Sequence, residues 1–168
     1  DILAHNIECV STGGRQVDVV VNCFSTSAEE VGQIRDAVVK CVGEENVYMH
    51  VVGGGVLTEL FLTNPHNSAL ISDGPGSGYE YALFALDDVR IQRMDIDGMA
   101  RRMREHSLDV ISPRIHGSTH SFMHEYEHEG LTLNNGVEVY MLLTTPRGLT
   151  RFFSLHTLAN RWMWGVDA

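Results

Sequence analysis

Residues 17–24 read Val-Asp-Val-Val-Val-Asn-Cys-Phe, a β-branched run with the composition of a central strand. Ser27-Ala-Glu-Glu30 follows, a capping box in which Ser27 and Glu30 satisfy each other's orphan amides. Val31, Ile34, Val38 and Cys41/Val42 then recur at helical spacing, and Gly43 supplies the stop. Residues 47–52 form a second strand that runs into Gly53-Gly54-Gly55. Strand, helix and strand in this order make one βαβ unit, for which parallel strands and a right-handed crossover are expected. The expected fold class is therefore α/β, an open and mostly parallel sheet with helices on both faces.

A length of 168 residues, 43% hydrophobic and 20% charged, suits one globular domain spanning residues 1–168. Twelve basic against 22 acidic side chains give a net charge of −10, and the arginines are scattered, which argues against nucleic acid as a partner. No run approaches the ~18 apolar residues of a membrane span. No basic n-region with an apolar h-region opens the chain. A first residue of Asp1 in place of Met is expected of a processed or excised piece. Cys9, Cys23 and Cys41 show no CxxC spacing, which removes zinc-ribbon and thioredoxin-type readings. Cys23 and Cys41 fall in apolar segments and are expected in the core; one disulfide stays open.

Residues 79–90, Tyr-Glu-Tyr-Ala-Leu-Phe-Ala-Leu-Asp-Asp-Val-Arg, drive an apolar strand into two adjacent carboxylates, Asp87 and Asp88. Strand ends border the ligand crevice of an open α/β sheet, where a hard cation holding diphosphate oxygens would offset the paired charge. The alternative is that the strand simply stops and both side chains face water. Upstream, residues 69–72 read as a short strand and Asp73-Gly-Pro-Gly-Ser-Gly78 as a turn. The glycine clusters match neither phosphate-binding fingerprint and read as flexible connection. Downstream, Asp95 or Asp97 caps a helix whose buried stripe is Ile96, Met99 and Met103, so that Asp95-Ile-Asp97 is accounted for without a metal. Residues 108–111 form the next strand, and residues 112–135 are long, polar and irregular, as functional loops are. Residues 137–143 alternate as a strand with one face in the core, and Thr145-Pro146 opens a last helix through about Trp162.

His124-Glu-Tyr-Glu-His128 spells HExxH, and His116 and His120 extend the four-residue spacing. On a helix, two such imidazoles share one zinc with Glu125 as general base. Against this stand Glu127 at a core-facing position, a poor helix former in Gly117-Ser-Thr119, and no third ligand at a familiar spacing. A solvated loop is the expectation.

The order of these segments carries a resemblance. An apolar strand into Asp87-Asp88, an amphipathic helix, Leu108-Asp-Val-Ile-Ser-Pro113, a strand with Val137-Glu138, and Trp164-Gly-Val-Asp167 together resemble the GT-A glycosyltransferase fold. The chain is most similar to an uncharacterised eukaryotic family of the nucleotide-diphospho-sugar transferase type, from about Val17 to the C-terminus. The resemblance implies a GT-A-like, Rossmann-like sheet and Mn²⁺- or Mg²⁺-dependent transfer of a sugar from a nucleotide diphosphate to a glycan, protein or small-molecule acceptor. Asp88 would hold the metal, with Asp87 beside it on ribose or metal. Asp167 would be the general base of an inverting enzyme, with Glu138 in reserve. The secretory pathway or Golgi lumen is the compartment so implied. Two departures are visible: Leu86 takes the place of the first acidic residue, and residues 56–86 contain no Arg or Lys to contact a donor. They support a rival reading, a non-catalytic GT-A-like binding or assembly module; a zinc hydrolase is the third. Equilibrium dialysis against Zn²⁺ is expected to find no tight stoichiometric site. One zinc per chain, lost on His124→Ala, would establish the hydrolase instead.

Overall fold

A computed structural model describes residues 2–24, 27–52, 62–68, 78–114, 130–131 and 140–154. Helix α1 (Ile2–Ser11) precedes β1 (Val19–Cys23), α2 (Ala28–Val42), a 3₁₀ turn (Glu44–Asn46) and β2 (Val47–Val51). After these come β3 (Ala82–Ala85), α3 (Ile96–His106), β4 (Val110–Ile111), β5 (Met141–Thr144) and α4 (Pro146–Ser154).

The first βαβ unit forms as its residues dictate. Strands β1 and β2 pair in parallel, Val19 with Val47 through Cys23 with Val51. The Ser27 side chain accepts the Glu30 N–H at the start of α2. At the other end Gly43, with φ of 88°, returns its N–H to Val39 O at 2.8 Å. A positive φ there is strained for any residue with a Cβ, which is why the helix stops at glycine. Val38 of α2 is fully buried, and α2 packs against α1, β1 and β2. Cys23 is buried, Cys9 and Cys41 are half-buried, and all three are free thiols.

The second sheet departs from the expected mostly parallel arrangement. Its order is β3-β5-β4, with β5 antiparallel to both neighbours (Ala82 opposite Thr144, Val110 opposite Thr144). Strands β3 and β4 therefore run in the same direction, joined through α3, and β5 fills the one-strand gap between them. This is the split form of a βαβ unit. The protein is thus a mixed α/β chain with one parallel pair and one antiparallel three-stranded sheet among the described residues. Because β5 is central, Met141, Leu142, Leu143 and Thr144 are all buried, so the expected one-sided alternation does not hold over these four. A central strand covered on both faces loses the apolar–polar alternation of a half-solvated one.

Helix α3 seats this sheet. Asp95 caps it by accepting the Gly98 N–H at 2.9 Å. Ser107 takes a left-handed conformation at its end, and Leu108 N–H closes onto Met103 O at 2.9 Å in the Schellman manner. Met103, Ile111 and Leu143 form a buried cluster, and Ile96 and Met99 pack on it with Tyr81, Leu83, Leu108 and Leu131.

Helix α4 opens as Thr145-Pro146 predicts: Thr145 Oγ1 accepts the Gly148 N–H at 3.0 Å, and Pro146 has no N–H to orphan. A Cβ on Gly148 would lie 2.5 Å from both Asp109 O and Thr144 Oγ1. Backbone cannot retreat there, because Asp109 O also accepts Thr145 N–H at 2.9 Å. Gly148→Ala is expected to lower unfolding free energy by about 1–3 kcal/mol, the range of overpacking a filled site. Urea titration with unchanged slope checks this.

Candidate functional site

Strand β3 delivers Leu86, whose N–H donates to Tyr140 O at 3.0 Å, and the chain then turns. Val89 N–H donates back to Leu86 O at 3.3 Å, so Asp87 and Asp88 occupy the two central positions of a β-turn. Both are exposed. The apolar run does end at the acidic pair, yet the pair faces water, so no burial cost demands a cation.

The turn is held from a distance by α1, an element the sequence reading passed over. Asn6, 8% exposed in mid-helix, donates Nδ2–H to Val89 O at 2.7 Å and accepts Ile91 N–H at Oδ1, 2.8 Å. His5 Nε2–H donates to Ile91 O at 2.8 Å. Leu3, Ile7 and Val10 at helical spacing were the available signal for α1. Arg90, between the two clamped residues, and Arg93 are exposed and make no ion pair among the described residues. They supply, just after the acidic pair, the positive charge missing before it.

Asp95 and Asp97 are employed structurally, the first as the α3 cap and the second in an ion pair with Arg15 at 2.6 Å. The Arg15 hydrogen bond and charge hold the Asp97 carboxyl below its usual range. Glu138, Asp167 and the HExxH at 124–128 lie outside the described residues. Among the described residues no three His, Cys, Asp or Glu side chains gather to hold a metal. The chemistry of the donor set nevertheless suits Mn²⁺ or Mg²⁺: two carboxylates are hard oxygen donors, and such ions keep most ligands as water and phosphate oxygens.

Two further polar clusters stand apart from the turn. Over β1 and β2, buried Asn64 donates Nδ2–H to Asn22 Oδ1 at 2.8 Å, and His66 stacks on Tyr48 with ring centroids 3.8 Å apart. Burial lowers the His66 pKa, with Asp18 opposing it. Tyr79 donates its hydroxyl to Asp18, and burial together with that carboxylate pushes the phenol pKa far up. Both rings are therefore neutral near pH 7.

The other cluster centres on Asp109, at a shallow depression of about 280 Å³ lined by Tyr79, Asp109, Thr145, Pro146 and Arg147. Asp109 Oδ1 accepts from Thr145 Oγ1 at 3.0 Å and Arg147 Nε at 2.8 Å, and Oδ2 accepts from Arg151 Nη1 at 3.0 Å. The Asp109 carboxylate is thus met by three donors, while Arg147 and Arg151 stay largely exposed and keep guanidinium N–H groups that these bonds do not use.

No known family model, curated protein or solved structure matches this chain.

Burial pushes the Asp109 carboxyl up, but hydrogen bonds from Arg147 and Thr145 and the charges of Arg147 and Arg151 outweigh it, and the net pKa is lowered. A carboxyl depressed by folding stabilises fully above its unfolded value of about 4 and loses that contribution as pH falls through the folded value. Asp109→Asn is accordingly expected to cost roughly 1.5–3 kcal/mol at pH 7, as charged hydrogen bonds do. The gap between variant and parent should close below about pH 4 in urea titrations. A pH-independent gap would assign the effect to packing.

Proposed function

We propose that this protein is a metal-dependent glycosyltransferase that moves a sugar from a nucleotide-diphosphate donor to an acceptor hydroxyl. The observation that carries the reading is the turn at Asp87-Asp88: two exposed carboxylates at the end of a strand, on backbone fixed at both sides, with Arg90 and Arg93 immediately after. In this reading β1–α2–β2 and β3–α3–β4 are two βαβ units of a GT-A-like fold, the second split by antiparallel β5. Mixed sheets of this kind are common among doubly wound proteins.

Asp88 and Asp87 would hold Mn²⁺ or Mg²⁺. The ion, when bound, neutralises charge that develops on the departing diphosphate. Arg90 and Arg93 follow within five residues in sequence and add positive charge. Asp167 receives the acceptor proton as the hydroxyl oxygen bonds to the anomeric carbon, and the carbon–oxygen bond to phosphate breaks with its electron pair leaving on the diphosphate. Glu138 is the reserve base.

One observation favours the second reading, a non-catalytic GT-A-like module. Leu86, in the place of a first acidic residue, has a side chain with no oxygen donor, so the turn offers two carboxylates only. Calorimetric titration separates the two. UDP or GDP is expected to bind only with Mn²⁺ present, and Asp88→Asn to abolish that dependence while the far-ultraviolet circular dichroism stays the same. Equal affinity with and without Mn²⁺, or no binding, sinks the metal-dependent reading and leaves the module.

A further inference from the structure

We infer that Asn6 is a positioning residue for the donor-side turn, an inference that rests on the glycosyltransferase reading. Asn is a poor choice for mid-helix, where its amide competes with the backbone for hydrogen bonds. At a site 8% exposed, an apolar side chain would pack α1 without that conflict. What the amide supplies is a two-point grip: Nδ2–H on Val89 O at 2.7 Å and Oδ1 on Ile91 N–H at 2.8 Å, the pair of contacts a neighbouring strand would make. Two contacts fix rotation as well as place. His5 Nε2–H adds a third, to Ile91 O at 2.8 Å.

The grip acts where strand pairing has run out. On its near side the turn is anchored by Leu86 N–H to Tyr140 O; on its far side, one residue past Asp88, Asn6 is the anchor. The far anchor is itself mounted on α2, since α1 packs there, and Arg15 below α1 reaches Asp97 at the head of α3. The two carboxylates and Arg90 are thus presented on backbone set before any ligand arrives, which is how outer residues raise the affinity of a metal site.

The test measures Mn²⁺-dependent UDP or GDP affinity together with amide hydrogen exchange at Val89 and Ile91, in the parent, Asn6→Ala, His5→Ala and Asn46→Ala. Asn46 is the control: its Nδ2–H also bonds a carbonyl, Val42 O at 2.7 Å, at the end of α2 and not on the residues of the turn. Asn6→Ala is expected to speed Ile91 exchange and weaken binding on the order of 10–100-fold, the usual loss for an outer-shell partner. His5→Ala should give a smaller loss of the same kind, and serves where Asn6→Ala fails to fold. Asn46→Ala should leave affinity unchanged. A folded Asn6→Ala, or His5→Ala in its stead, with faster exchange and parental affinity overturns the positioning role alone. No Mn²⁺-dependent binding by the parent overturns the functional reading, and this inference with it.

Discussion

Asp109 is the joint on which the second half of the fold turns. Strand β4 is only two residues long and cannot be held by its ladder alone. The carbonyl of Asp109 accepts Thr145 N–H and Thr144 Oγ1–H, and its carboxylate accepts from Thr145, Arg147 and Arg151. One residue therefore ties the start of β4 to the end of β5 and to the first turns of α4. A partly buried charge is tolerated because three donors meet it, and would be costly with any fewer. The close approach of Gly148 follows from the same demand, since the helix must come near enough for Thr145 to serve both its own cap and the carboxylate.

Local chemistry was legible where a signal acts within a few residues. Ser27, Gly43, Asp95 and the Thr145-Pro146 pair each start or stop a helix where they stand in sequence. The Val19–Cys23 run and its parallel partner followed from β-branched composition and the length of the crossover. Strand direction in the second sheet was not legible. Nothing in Met-Leu-Leu-Thr tells whether β5 runs with its neighbours or against them, because side-chain period is two in either case. The turn at Asp87-Asp88 was correctly located as a strand end, yet its exposure is a tertiary fact that apolar composition upstream does not fix.

The support for that turn was invisible for a different reason. Asn6 and His5 lie 83 to 86 residues from the backbone they hold, and a side-chain amide bonding main-chain groups leaves no pattern at the receiving end. Val89 and Ile91 take part through N–H and C=O, which every residue but proline possesses. A site whose acidic residues are local and whose scaffold is remote will be read from sequence as a motif without its mounting.

The same separation shapes how the molecule comes together. In synthesis order α1 is complete long before Val89 and Ile91 exist, so the amide of Asn6 must remain hydrated while β1, α2 and β2 assemble beside it. Closing a loop of this length costs only about 0.6 kcal/mol more than closing one half as long, but that cost falls due before any of the three hydrogen bonds forms. Local contacts of the first βαβ unit carry no such delay. The far side of the acidic turn therefore depends on long-range contacts with α1, whereas its near side is held by the β3–β5 ladder.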